Sequence, residues 1–117
     1  MELVEISYDD ARPIDGYGPG LFRVGGKVVD APVLVLANTT RVWGGVEDAA
    51  PLTALAGQVD VILLGTGATM TPVPAALREA LDEVGVGIEP MASPSACRSF
   101  NILLSEGRRV AAALLSV

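Results

Sequence analysis

Two stretches of the chain carry the residues whose types and spacing could do chemistry. The first, residues 93–101, begins a predicted helix and holds the only cysteine, Cys97. A thiol near the positive end of a helix and beside a cation such as Arg98 can have a lowered pKa, which would make it a better nucleophile. The alternative is an inert cysteine in the core, where free cysteines are common. Because the chain has no histidine to act as its partner, the buried interpretation of Cys97 is favoured.

The second stretch, residues 65–71, is a loop rich in glycine and threonine that follows a predicted buried strand. Its first residues, Gly65-Thr66-Gly67, are similar to the first half of a dinucleotide-binding motif. Met70 stands where the motif has its third glycine, so the loop lacks the geometry that binds a phosphate at a helix start. Ligands of open α/β sheets usually lie beyond the carboxyl ends of the strands, and free N–H groups at the start of the following helix favour an anion or a carboxylate. The candidate binding residues are Gly65, Thr66, Gly67, Thr69, Ser93, Cys97, Arg98 and Asn101.

The side chains of Arg98 and Asn101 lie three residues apart and so on one side of the predicted helix. Two interpretations are open. Either they bind a ligand, or they satisfy backbone carbonyls in a neighbouring loop. Trp43 likewise could stack on a ligand, although a lone tryptophan in a domain with so few aromatic residues is more often part of the core.

Composition excludes several classes of function. Without histidine, neither Ser-His-Asp nor Cys-His catalysis can be assembled, and zinc sites built from Cys and His fail for the same reason. The net charge of −6 argues against a general affinity for nucleic acid or anionic membranes. No cofactor or metal is therefore expected.

Cysteine usage and hydropathy predict a cytoplasmic protein. A single cysteine cannot form an intrachain disulfide, which suits a reducing compartment. The first ten residues have no signal-peptide pattern, and the longest apolar runs fall well short of the ~20 residues that span a bilayer.

The elements that must position these residues alternate between strands and helices. Strands are predicted at residues 3–6, 21–24, 27–29, 32–37, 59–64, 86–91 and 110–115, and helices at 51–57, 74–84 and 93–106. Ser93 is the predicted N-cap of the last helix and Pro94 its first residue. Paired glycines at positions 25 and 26 predict a hairpin, and the glycine-rich residues 14–20 predict a turn that leads into its first strand. Gly85 is the predicted C-cap of the helix at 74–84. The 117 residues fit one α/β domain, residues 1–117, with flanking helices.

Four blocks together resemble the small Mth-domain family: IDGYGPG at 14–20, ILLGTG at 62–67, ACRSFNIL at 96–103 and EGRRVAAAL at 106–114. The resemblance implies a three-layer α/β domain with a mixed central sheet and a small antiparallel N-terminal sheet. Relatives in that family include an adipogenesis-associated protein and a mitochondrial assembly factor for respiratory complex I. Phe100 stands where a tyrosine is common, so a role for that phenol is not expected here.

These observations predict a non-enzymatic binding or assembly protein, with respiratory complex I as one client that the resemblance implies. The alternative is a small-molecule or anion site, with or without catalysis, formed by residues 65–69 and 93–101. Self-association through an exposed sheet edge or the N-terminal hairpin is a third possibility. A protein partner is expected, without nucleic acid and without insertion into a membrane.

Overall fold

The computed structural model describes residues 12–117, which form eight strands and three helices. In chain order these are β1 (Ile14–Gly18), β2 (Leu21–Val24), β3 (Lys27–Asp30), β4 (Val33–Val35), β5 (Thr40–Val42), α1 (Ala50–Thr53), β6 (Val61–Gly65), α2 (Ala75–Val84), β7 (Gly87–Met91), α3 (Ser93–Ser105) and β8 (Val110–Leu114). The strand predicted at residues 3–6 lies outside the described residues.

The central sheet has five strands in the order β5-β4-β8-β6-β7. Strand β6 pairs in parallel with both β7 and β8, whereas β4 pairs antiparallel with β5 and β8. The sheet is therefore mixed. All five residues of β8 are buried, as expected for an apolar run in the middle of a sheet that is covered on both faces.

The central sheet lies between two layers. On one face, α1 and α2 pack on the even-numbered residues of β6, Ile62 and Leu64, through Leu52, Leu77 and Leu81. On the other face, α3 and the small sheet pack on Leu63 and the alternate residues of β4 and β8. The small sheet is antiparallel, in the order β1-β2-β3. The predicted three-layer α/β fold is confirmed.

Local signals in the sequence placed most of these elements. Gly25 and Gly26 have φ values of 56° and 83°, which the hairpin turn between β2 and β3 requires. Gly85 ends α2 in the left-handed conformation, as predicted. Helix α1 stops at Thr53, four residues before the predicted end, and the chain continues as turns.

Three expectations about the strands and helices were wrong. Residues 14–18 were expected to be a turn because they are rich in glycine, but they form β1, which pairs with β2. The short strand β5 was not predicted, since its three residues are polar or exposed. Ser93 is not the N-cap of α3. Ala92 has that position, and its methyl side chain cannot cap the helix. The hydroxyl of Ser93 bonds instead to Gly67 and Leu115.

Candidate functional site

The two stretches singled out from the sequence meet at one junction, where β6 ends and α3 begins. The side chain of Ser93 is fully buried there. Its Oγ accepts a hydrogen bond from the Gly67 N–H (2.9 Å) and donates one to the Leu115 carbonyl (2.7 Å). The Ser93 hydroxyl thus connects the loop after β6, the helix α3 and the chain after β8.

Backbone groups add to this junction. The Ser93 N–H donates to the Gly67 carbonyl (2.8 Å), and the Leu115 N–H donates to the Gly65 carbonyl (2.9 Å). A Cβ at Gly65 would lie 2.7 Å from Ser93 Oγ and 3.0 Å from Ser93 Cα. Glycine at position 65 is therefore what allows the helix start to approach the strand so closely.

Thr66 organises the loop that follows β6. Its N–H donates to the Met91 carbonyl (2.8 Å), which ties the loop to the end of β7. Its hydroxyl lies 2.7 Å from the Thr69 carbonyl, to which it donates, and accepts a bond from the Thr71 N–H (3.0 Å). The polar groups of this loop are thus largely paired with one another, while the side chain of Thr69 is exposed.

The start of α3 has few free N–H groups. Those of Ser93 and Ala96 donate to the carbonyls of Gly67 and Ala92, and Pro94 has none. An anion placed there would meet the N–H of Ser95 as the remaining donor of the first turn. Ligand binding by residues 65–69 and 93–101 stays a prediction, and a ligand of the buried groups would have to replace bonds that the chain already makes.

Cys97 is buried in the core on the α3 side of the central sheet, together with Phe22 and Phe100. Burial raises the pKa of its thiol to about 11. The nearby positive charge of Arg98 acts in the opposite direction, but its effect on the pKa is smaller. A thiol with that pKa is almost entirely protonated at neutral pH. The favoured interpretation of Cys97 as a buried residue is confirmed.

Arg98 and Asn101 have different surroundings. The Arg98 side chain is exposed, and its guanidinium donates to Ser95 Oγ across 3.4 Å. The Asn101 amide accepts a bond from the Ile14 N–H and donates one to the Ile14 carbonyl, both at 2.8 Å. Asn101 therefore satisfies backbone groups of β1 and attaches the small sheet to α3, which is the second of the two interpretations given above.

Trp43 belongs to the core. Its side chain is 2% exposed and packs with the residues beneath α1 and α2. The indole N–H donates to the Asp48 carbonyl (2.9 Å). Both its apolar surface and its one donor are thus used inside the protein.

A groove that was not predicted from the sequence lies on the α3 side of the sheet. The groove has a volume of about 350 Å³ and is lined by Val61, Leu63, Glu89, Met91, Ser99, Ile102 and Leu103. Alternate residues of β6 and β7 form its floor, and one flank of α3 forms its wall. The signal that could have indicated it is Ile102, an apolar residue that lies away from the buried face of α3 formed by Ala96, Cys97 and Phe100.

The chain is thus a small mixed α/β protein in which the start of α3 is bonded to the chain directly after β6 and β8. Among solved structures, a Bartonella henselae protein described as an outer membrane protein matches 94% of this chain and 99% of its own, with a TM-score of 0.82 and 30% identity. A Bordetella pertussis protein described as a Mth938-like domain matches 89% of this chain and 85% of its own, with a TM-score of 0.73 and 25% identity.

The chain belongs to the family described as "Protein of unknown function (DUF498/DUF598)", which matches residues 14–115. An uncharacterised protein of Rhodobacter capsulatus is 50% identical over 111 residues, which cover 95% of this chain and 90% of that protein. NADH dehydrogenase [ubiquinone] 1 alpha subcomplex assembly factor 3 of Danio rerio is 35% identical over 109 residues, 87% of this chain and 63% of that protein. The resemblance to the Mth-domain family and its assembly-factor branch is confirmed.

Within residues 12–117, none of the helices has the length and apolar character needed to cross a bilayer.

Proposed function

We propose that this protein is a non-enzymatic binding protein that assists the assembly of a larger protein complex, and that its client is respiratory complex I. The observation that carries the proposal is the 35% identity over 109 residues to an assembly factor named for NADH dehydrogenase. The chain spans 63% of that relative, so the relative's role is transferred here as a proposal. Residues 1–117 are taken to act as one domain.

The chemistry of the junction supports a binding role over catalysis. The Ser93 hydroxyl is both a donor and an acceptor to backbone groups, and no imidazole is present in the chain to activate it. The Cys97 thiol is buried with a pKa of about 11. Ser93 and Cys97, the two buried side chains of residues 93–101 that carry a hydroxyl or a thiol, are therefore held in structural positions.

The proposal also includes a location and a kind of partner. We take the protein to act in the cytoplasm and to bind a protein partner, since the net charge of −6 disfavours nucleic acid and anionic membrane surfaces. Self-association stays a prediction, and sedimentation over a concentration series measures it.

Deletion of the gene in its own organism tests the proposal. Membranes of the deletion strain should contain less assembled complex I on native gels and show lower NADH:quinone reductase activity, and the wild-type gene should restore both. A Cys97→Ala gene should restore both as well, because the proposed role needs no thiol chemistry. Unchanged complex I in the deletion strain would refute the assembly role.

A further inference from the structure

The groove beside α3 is an apolar surface that the protein leaves open. Leu63 lies at its floor and is 3% exposed, whereas Ile102 at its rim is 58% exposed. Val61, Met91 and Leu103 are partly buried. Ile102 extends these partly buried residues into one contiguous apolar surface, and contiguous apolar surfaces are typical of sites that a partner covers.

The layer arrangement explains why the groove exists. Helix α3 packs over β6 and β8 and reaches β1, so the face of β7, at the edge of the sheet, is left uncovered. Strands lie about 4.8 Å apart and packed helices about 10 Å apart, so one helix covers about two strands. A neighbouring helix about 10 Å from α3 would lie over β7, at the edge of the sheet, and the groove is the space between that position and α3.

The edge of β7 is poorly suited to pairing with an added strand. The Gly87 N–H donates to the Asp60 carbonyl and the Met91 carbonyl accepts from Thr66, so alternate residues from 87 to 91 face β6. In a parallel ladder the residues between them, Ile88 and Pro90, then face the open edge. Proline has no N–H to offer a new strand. A partner at this place must therefore bind through side chains on the sheet face.

The charge of the groove and of the whole chain indicates that the partner's contacting surface is basic. Glu89 is the only charged residue that lines the groove, is exposed, and forms no ion pair with residues 12–117. The chain as a whole carries a net charge of −6. A second copy would bring a second Glu89 and the same net charge, and residues 1–11 contain four carboxylates and no lysine or arginine. A second copy of the chain and residues 1–11 are therefore both less suitable occupants of the groove than a basic partner.

We propose that the groove binds an amphipathic helix of a partner protein, with a lysine or arginine placed to pair with Glu89. Strand β7 has five residues, a length of about 16 Å, which a helix matches with about 11 residues. The partner helix would present apolar side chains at i, i+3 or i+4, and i+7 to Leu63, Met91 and Ile102. This inference rests on the proposed function, because it names the kind of partner through which an assembly protein would act.

Site-specific photo-crosslinking in the native cell tests the proposal. A benzophenone amino acid is placed at position 102 in the full chain, and the matched control carries it at position 84. Val84 is an exposed aliphatic residue, 40% exposed, on α2 at the opposite face of the sheet. Mass spectrometry of the adduct should identify one segment of another protein that is helical, amphipathic and carries a lysine or arginine.

Several results would overturn the proposal: an adduct with a second copy, with residues 1–11, with a lipid or small molecule, or no adduct beyond the position 84 control. For the substitution test, the probe is moved to position 99. Glu89→Lys and Ile102→Glu should then each lower the yield of the adduct at least tenfold, while Val84→Glu should leave the yield unchanged. Both substituted side chains are exposed, so the thermal unfolding midpoint should stay within about 2 °C and folding failure is excluded by that measurement.

Complementation separates this proposal from the proposed function. If gene deletion lowers complex I and the Glu89→Lys and Ile102→Glu genes restore it fully, the assembly role stands and the groove proposal fails. If deletion leaves complex I intact while position 102 still crosslinks a basic amphipathic helix, the groove proposal stands and the complex I role fails.

Discussion

Replacing Ser93 by alanine should destabilise the protein far more than the loss of one hydroxyl on a surface would. The Ser93 side chain is fully buried, and its hydroxyl bonds to the Gly67 N–H and the Leu115 carbonyl. Alanine leaves both backbone groups without that partner. At 0% exposure, water has no direct route to replace it.

The size of the effect follows from these two bonds. A buried donor or acceptor left unsatisfied costs about 1–3 kcal/mol. Two such groups, Gly67 N–H and Leu115 C=O, give an expected loss of about 2–6 kcal/mol in the free energy of unfolding. For a chain of 117 residues, an unfolding entropy of about 0.25 kcal/mol/K converts this loss into a decrease of about 8–24 °C in the midpoint.

Urea unfolding followed by circular dichroism measures the free energy, and amide hydrogen exchange at Gly67 reports the broken bond directly. Ser105→Ala is the matched control, because its hydroxyl is exposed and bonds only within α3, to the Ile102 carbonyl. The control should change stability by less than about 0.5 kcal/mol. A Ser93→Ala variant as stable as the control, with unchanged exchange at Gly67, would refute the account of the junction given above.

Three further substitutions or measurements test neighbouring features. Gly65→Ala places a Cβ 2.7 Å from Ser93 Oγ and 3.0 Å from Ser93 Cα, so chemical denaturation should show a loss of about 1–3 kcal/mol in the free energy of unfolding. An unchanged denaturation midpoint would contradict the close approach of α3 to β6. Asn101→Ala removes both bonds to Ile14, so stability should fall by about 1–3 kcal/mol and the Ile14 amide should exchange faster; slow exchange would contradict the role of the side chain. Burial raises the pKa of Cys97 to about 11, so at pH 7 the native thiol should react with a disulfide reagent at least a hundredfold more slowly than an exposed Ser105→Cys thiol in a Cys97→Ala background. Equal rates would contradict the burial. Because the folded-state pKa lies above the unfolded one, the stability of the protein should fall as pH rises from about 9 to about 11.

The elements with a strong local signal could be predicted from the sequence, and those held by distant contacts could not. Helix α2 has a proline before its first residue, an apolar stripe and a glycine cap. By contrast, β1 contains Gly16 and Gly18 and is a strand because it pairs with β2 and because Asn101, 87 residues away, bonds to Ile14. No window of local sequence contains that information.

The position of the candidate site could be predicted better than its role. The rule that parallel strands end at the same edge of a sheet indicated that the loop after β6 and the start of α3 would meet, and the Gly67 N–H does lie 2.9 Å from Ser93 Oγ. The serine was expected to cap its own helix, whereas its hydroxyl donates to Leu115, 22 residues further along the chain. A cap and a tertiary bond look the same in the sequence.

The closed junction and the open groove are two consequences of how α3 is fixed. Its first turn is held by Ser93, and its middle by Asn101 and the buried Phe100, so its outer flank is a rigid surface. Ile102 is 58% exposed, so a partner that covers it completely gains about 1–2 kcal/mol from burying the rest of its aliphatic side chain, without having to order the helix first. A preorganised surface keeps more of its contact energy as affinity. Loosening the junction by Ser93→Ala should therefore weaken crosslinking from position 102, although Ser93 does not line the groove.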